Sequence, residues 1–494
     1  MSVNLSIVAH TNVGKTTLVR TLLKRDIGEV ADRPHVTEDA ERHLLLDTAE
    51  GDLLHLWDTP GFGDSARLLK RLRNSGNPIG WLQTQVWDRL VDRPFFCSQR
   101  AIRNVRDEAD VVLYLVNAAE DPSAGAYVDA ELQILQWVGK PVLLLLNQAG
   151  PPRSREAEAA DEARWNRQLA LHVRERGVIT LDAFARCWVQ EDRLLRAAAA
   201  LLEGPKKPEM ERLRGAWRSR NLEVFRASMH SMAAHLAAIA VDREVVPEKL
   251  DAGALAQRVK HWVARTRQGG NTPEPGVDAA MSSLSKRLEA SIRADTDRLI
   301  ALHGLSGRAQ QQILARTVGQ FEVAMPADVA GSTLLGGLVT GAAGGLVADL
   351  STGGITLGAG MLVGAILGAF GAGSAVRAYN VLQGQEDGRV RWSAELLATQ
   401  VQIALLRYLT VAHYGRGRGE WVEGEAPAHW PPLVAEAVRV RATGLQDAWR
   451  IAAESTPAAA AARLEPELTA AARDLLVGLY PEAAEIFAVT ERSR

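Results

Sequence analysis

The 494-residue chain contains only two cysteines, Cys97 and Cys187, and neither has a partner at metal-ligand spacing. That excludes a cysteine-based metal site and leaves two readings, reduced thiols in a cytosolic chain or one long-range disulfide. Charge of a dominant sign is also missing. With 57 Lys and Arg against 59 Asp and Glu, no overall field draws the protein to nucleic acid. No basic segment leads into a hydrophobic run at the N-terminus, so no signal peptide is expected. A chain of this length exceeds one hydrophobic core and should divide into about two to four domains.

What is present begins at "VAHTNVGKTTL", residues 8–18. Ala9 stands where the usual phosphate-loop signature has its first glycine, and a methyl fits there if φ is negative. Before it, "VNLSIVA" (3–9) is short and partly β-branched, as a buried strand should be. After it, "TTLVRTLLKR" switches to helical spacing, with Leu18, Leu22 and Leu23 on one face. Strand, tight loop and helix form the context a phosphate loop requires. Backbone N–H groups from Thr11, Asn12, Val13 and Gly14 through Thr16 and Thr17 would converge on phosphates at the helix N-terminus. Lys15 adds a point charge and the Thr16 hydroxyl is a Mg²⁺ ligand candidate.

Companion segments fit the same reading. "LLHLWDTPGFGD" (53–64) is an apolar strand ending in Asp58-Thr59-Pro60-Gly61. An acid there can hold Mg²⁺ through water, and a glycine amide can meet a γ-phosphate. Between loop and acid, "DRPHVTED" offers Thr37 as a second hydroxyl for the metal. The apolar runs "VVLYLVNA" (111–118) and "PVLLLLNQAG" (141–150) are separated by the helix-compatible "YVDAELQILQWVG". Strands alternating with helices predict an α/β fold, a parallel doubly wound sheet with ligands at its C-terminal strand ends. The loop, Asp58 and Asn147 would share that edge.

Residues 1–190 resemble GTPases of the Era-like branch of the translation-factor class. "TNVGKTTL" is similar to that branch's "PNVGKSTL", "RPHVTED" to its switch-one region and "DTPGFGD" to its switch-two motif. The resemblance implies a G domain binding GTP and Mg²⁺. Lys15 would bind the β/γ-phosphates, Thr16 and Thr37 would ligate Mg²⁺, Asp58 would hold a metal-bound water, and Gly61 would donate to the γ-phosphate. Phe62 occupies the place of the water-orienting glutamine of many small GTPases, and an apolar ring cannot orient water. Asn12 sits as in potassium-stimulated members of the branch, which implies K⁺ beside the phosphates. Its alternative role is to tolerate the loop's backbone geometry.

One departure concerns the base. The family reads guanine with Asn-Lys-x-Asp, whereas this strand ends in Asn147-Gln148-Ala149-Gly150. Asn147 and Gln148 can meet the base edge, but Gly150 has no carboxylate for the two guanine N–H groups. An unpaired buried donor costs about 1–3 kcal/mol. Asp182-Ala183, within the last strand and exit at 177–188, is a poor substitute for the family's Ser-Ala-Lys loop. GTP over ATP therefore follows from the resemblance and not from these residues.

Beyond the switches the chain turns helical. Residues 63–108 form a basic, aromatic insertion, read either as a packed subdomain or as a partner-binding element moving with switch two. Residues 191–323 and 381–494 carry repeated helical spacing, broken near "WPP" (430–432) and "STPAAAA". Between them, within 324–380, lies a glycine-rich apolar hairpin. From Val329 to Val376 only Asp349 is charged, and each half matches the ~20 residues that span a bilayer core. Gly337, Gly341 and Gly345 recur at every fourth position, as do Gly360, Gly364 and Gly368, the close-packing stripe of membrane helices. Arg316 precedes the hairpin and Arg377 follows it, which sets both flanks in the cytoplasm. The competing reading is a buried hairpin in a soluble helical domain.

The whole arrangement is similar to an uncharacterised bacterial family that joins such a G domain to a C-terminal domain of unknown function. The leading expectation is a Mg²⁺-dependent GTPase switch at the cytoplasmic face of the inner membrane, or in the cytoplasm with conditional insertion. Its expected partners are guanine nucleotide, lipid, a further protein and a second copy of itself. The alternatives are a soluble GTP-binding module acting on ribosome or RNA, and a dynamin-like membrane-remodelling GTPase. No basic, aromatic-laced surface of the RNA-binding kind is evident.

Overall fold

The computed structural model describes residues 2–11, 13–24, 39–74, 93–121, 126–147, 155–172, 176–181, 187–246, 276–305, 379–383, 388–392, 394–413, 429–452 and 454–492. The chain divides into two compact units. One comprises Met1–Leu222 with Ala412–Glu420 and Ala488–Arg494, the other Glu223–Val411 with Trp421–Phe487.

The first unit is built on six strands: β1 (Ser2–Ala9), β2 (Glu41–Asp47), β3 (Leu53–Asp58), β4 (Val111–Asn117), β5 (Val142–Asn147) and β6 (Arg176–Thr180), in the order β2-β3-β1-β4-β5-β6. Neighbours from β3 to β6 run parallel, with Ile7 beside Asp58 and Asn117 beside Asn147. The expected doubly wound parallel sheet carries one antiparallel edge, where β2 pairs with β3 through a register shift at Leu44/Leu46. β2 is an edge strand with largely exposed residues, so its segment carries little of the buried apolar run that betrays a central strand.

β4 and β5 are almost wholly buried, and their alternation feeds two cores. Leu113, Leu115, Leu143 and Leu145 join Leu5, Ile7 and Leu18 on one face. Val112, Tyr114, Val116, Leu144 and Leu146 join Val8, Phe62 and Leu132 on the other. Period-two side chains buried on both sides are what helices covering both faces require, and each buried leucine contributes about 1.5–3 kcal/mol. The helices of this unit are α1 (Lys15–Leu23), α2 (Ser65–Arg73), α3 (Arg93–Asp107), α4 (Ala126–Val138), α5 (Arg155–Leu169) and α6 (Trp188–Leu201). In the 63–108 segment, Leu68 and Leu72 of α2 and Phe95, Ile102 and Val105 of α3 pack into the Phe62 core.

The second unit is mostly helical. α7 (Lys206–Val241) begins in the first unit and ends in this one, followed by α8 (Val277–Leu302), α9 (Ala394–Ala412), α10 (Trp430–Val440), α11 (Ala442–Ala452), α12 (Pro457–Leu479) and α13 (Ala483–Arg492), whose residues from Ala488 on belong to the first unit. The mostly helical region also holds a three-stranded antiparallel sheet: β7 (Arg243–Val246), β8 (Tyr379–Gln383) and β9 (Gly388–Trp392), in the order β7-β9-β8. Each strand has four or five residues, too few for a period-two pattern to stand out. In β9 the arginines of "GRVRW" mask the buried pair Val390 and Trp392. "WPP" and "STP" prove to be helix starts, with proline in the first turn of α10 and of α12, where its missing N–H costs nothing.

Arg407 of α9 and Asp295 of α8 form a buried ion pair, and Ser231 of α7 donates to Asp295 at 2.8 Å. Among the described residues one helix, Lys206–Val241, is long and apolar enough to cross a membrane; 56% of its apolar window is buried. The glycine-rich segment 329–376 lies outside the described residues.

Candidate functional site

The loop joins β1 to α1 at the C-terminal edge of the sheet. Gly14 caps α1 with φ 92° and ψ 28°, a left-handed conformation that a side chain strains. Its carbonyl accepts the first helical bond from Leu18 N at 3.0 Å. The loop is stapled to the segment after β3: Phe62 N donates to Ala9 O at 2.8 Å, and Thr11 N to Phe62 O at 3.2 Å. Thr59 fixes the intervening turn, its hydroxyl donating to Ile7 O at 2.6 Å.

These contacts bring the predicted charged groups together. Thr16 Oγ1 donates to Asp58 Oδ2 at 2.8 Å. Lys15 is buried, and its Nζ donates to His10 O at 3.4 Å. Burial holds the lysine below the usual ammonium range, opposed by the nearby Asp58 and Glu131 carboxylates. Burial likewise pushes the Asp58 carboxyl up to about 6, against the Thr16 hydrogen bond and the Lys15 charge. A Cβ built on Gly61 would lie 2.9 Å from Lys15 Nζ and 3.2 Å from the Thr11 backbone, so a side chain there would crowd the loop and displace the lysine.

The donor set fits a hard divalent cation. Among the described residues Asp58 Oδ1 is buried without a hydrogen-bond partner, beside a threonine hydroxyl, and Mg²⁺ takes oxygen ligands of this kind while keeping several sites for water and phosphate. Asn147 has a role beyond the base edge. It is fully buried, and its Nδ2 donates to Val13 O at 2.8 Å, tying β5 to the phosphate loop. Phe62 is also fully buried, so its ring belongs to the core. Asn12, Thr37, Gln148, Gly150 and Asp182 lie outside the described residues.

The Asp58 shift sets a pH test. Its folded value of about 6 exceeds the ordinary 3.8, so between those values the folded state holds a proton that the unfolded state lacks. Asp58 therefore costs metal-free stability as pH rises through this window. Asp58→Asn should raise the melting temperature of the nucleotide-free protein at pH 7 by a few degrees and change it little at pH 4. A melting temperature lowered equally at both pH values would refute the buried, uncompensated carboxylate.

A six-stranded sheet with this loop, the Thr16–Asp58 pair and Gly61 against Lys15 has the architecture of a P-loop nucleotide-binding domain. Residues 4–148 match the family described as "50S ribosome-binding GTPase". Residues 167–477, more than half of the chain, match "Domain of unknown function (DUF3482)", and the chain belongs to that family. Among curated proteins, GTPase Der of Myxococcus xanthus is 32% identical over 145 residues, 29% of this chain and 25% of that protein. GTPase Era of Heliobacterium modesticaldum is 25% identical over 144 residues, 29% of this chain and 38% of that protein. The chain thus spans less than half the length of these relatives. A solved structure of Era in complex with MgGDPNP and nucleotides 1506–1542 of 16S ribosomal RNA is similar over 36% of this chain and 51% of that one, at 17% identity and a TM-score of 0.28.

Proposed function

We propose that this protein is a Mg²⁺-dependent switch that binds and hydrolyses GTP. Its nucleotide state is read by the helices after Phe62, and its apolar segment 329–376 anchors it at the cytoplasmic face of a membrane. The observation that carries the enzymatic part is the Thr16–Asp58 hydrogen bond at 2.8 Å beside the buried Lys15. Thr16, Asp58 and, by resemblance, Thr37 would hold Mg²⁺, which when bound neutralises charge on the β- and γ-phosphate oxygens. Lys15 meets the same phosphates, and the Gly61 amide approaches the γ-phosphate. Purified full-length protein should release phosphate from GTP only with Mg²⁺ present, and equal release in EDTA would overturn the reading.

With Phe62 in the core, no side chain at that position can align the attacking water. We assign to K⁺, held with the help of Asn12, the positive charge that an arginine finger supplies in other GTPases. An arginine finger at such a place is worth about 10³–10⁵ in rate, so K⁺ should accelerate hydrolysis at least tenfold over Na⁺ at equal ionic strength. Asn12→Ala should remove that difference. Equal initial rates in the two salts for the unaltered protein would reduce Asn12 to a loop residue.

A further inference from the structure

Behind the phosphate loop lies a buried carboxylate with no part in the chemistry above. Glu131 of α4 is fully buried and accepts from three elements. Ser65 Oγ donates to its Oε1 at 2.5 Å, His10 Nδ1 lies 2.8 Å from the same oxygen, and the Tyr114 hydroxyl donates to Oε2 at 2.9 Å. Tyr127 stacks on the His10 ring at 4.4 Å between centroids, and its own hydroxyl donates to Glu120.

Two of the three donors belong to the nucleotide machinery. His10 is the residue whose carbonyl takes the Lys15 hydrogen bond, and its backbone bridges to Phe62. Ser65 is the first residue of α2, four positions after Gly61. Tyr114 is on β4, in the middle of the sheet. A buried ion must be compensated by hydrogen bonds, and an apolar residue of similar size often stabilises a fold as well or better. What a carboxylate adds is direction: its two oxygens fix where three donors stand relative to one another.

We propose that Glu131 is a positioning residue that locks the start of the switch-two helix to the phosphate loop, setting the Gly61 amide against Lys15. This rests on the GTPase reading above. With Ser65 on Oε1, loop and helix share one acceptor, so a shift of α2 away from the γ-phosphate position must break that bond. The Glu131–Ser65 bond therefore favours the hydrolysis-competent arrangement, while GDP, which does not engage Gly61, is insensitive to it.

The test uses full-length Ser65→Ala, Glu131→Gln, the double variant and Tyr114→Phe, measuring affinity for GDP and for a non-hydrolysable GTP analogue, kcat for GTP, and hydrogen exchange over 62–74. Ser65→Ala should lower kcat about tenfold and leave GDP affinity within twofold, while Glu131→Gln, which keeps one acceptor oxygen for Ser65, should lower kcat no further than Ser65→Ala does. The double variant should be no slower than Ser65→Ala, because both act through one bond. Exchange over 62–74 should no longer differ between GDP and a non-hydrolysable GTP analogue. Tyr114→Phe removes an equally buried bond to the same carboxylate from a static strand, so it should lower the melting temperature and leave kcat within twofold. If Glu131→Gln does not fold, Ser65→Ala against Tyr114→Phe decides the matter. GDP and analogue affinities falling together, or kcat unchanged in Ser65→Ala, would overturn the proposal. An unaltered protein that binds no nucleotide would instead overturn the GTPase reading.

Discussion

Lys15→Ala should abolish nucleotide-induced stabilisation while leaving the melting temperature of the nucleotide-free protein within a few degrees of the unaltered chain. The two effects differ in size because Lys15 is buried. In the free protein its ammonium suffers desolvation, which outweighs the attraction of Asp58 and Glu131 and lowers its pKa. Truncation relieves that cost, but it also leaves Asp58 without its neighbouring cation, so the net change in melting temperature should stay within a few degrees. Binding is different. Phosphate loses the lysine charge of the loop. A ligand at a hundred times its Kd stabilises a fold by about 2.7 kcal/mol, a shift of several degrees. A loss of affinity of a hundredfold or more removes most of it. Thermal unfolding with and without MgGTP measures both quantities together. A variant that keeps the full nucleotide-induced shift would sink the assignment of the loop.

How legible each element is in the sequence depends on how concentrated its signal is. β1, the loop and α1 can be read because "NVGKTT" compresses strand end, phosphate contacts and helix start into a few residues. β4 and β5 can be read because strands buried on both faces are unbroken apolar runs. β2 cannot, since "ERHLLLD" is an exposed edge whose partner is fixed only by tertiary pairing. β7 pairs with β9 across more than 130 positions, and nothing local announces that pairing, whereas β8 and β9 pair close together in sequence. Asn147 falls at the site edge by its place at the end of β5, but its hydrogen bond to Val13 O depends on how close β5 passes to the loop. Glu131 leaves a fainter trace. It lies three residues after Val128 and four before Leu135, both buried, so it stands on the apolar stripe of its helix. A charge on such a stripe is itself the signature of a buried polar contact, although the pattern does not name the partners.

The largest cellular effect is expected from the apolar segment, where sequence and physical chemistry carry the argument. Between Val329 and Val376 a single charge, Asp349, interrupts two stretches, each near the ~20 residues that cross a bilayer core. Glycine lowers helix stability by about 1 kcal/mol in water, yet it recurs here at every fourth position, where close helix packing in lipid gives it a use. If the two stretches insert as a pair, Gly341 and Gly364 lie on the packed stripes. Arginine at a bilayer centre costs about 2.5–3.5 kcal/mol on insertion scales, or roughly a hundredfold in the partition of a marginal hairpin. Gly341→Arg or Gly364→Arg should therefore move most of the protein from a salt-resistant membrane fraction to the soluble fraction. Basal GTP hydrolysis should stay within twofold, because neither residue belongs to the nucleotide site. A hairpin buried in a soluble helical domain predicts the reverse: unaltered protein already soluble, and both variants aggregating around an uncompensated buried charge. Recovery of the unaltered protein wholly in the soluble fraction, with GDP and with a GTP analogue alike, would end the membrane reading.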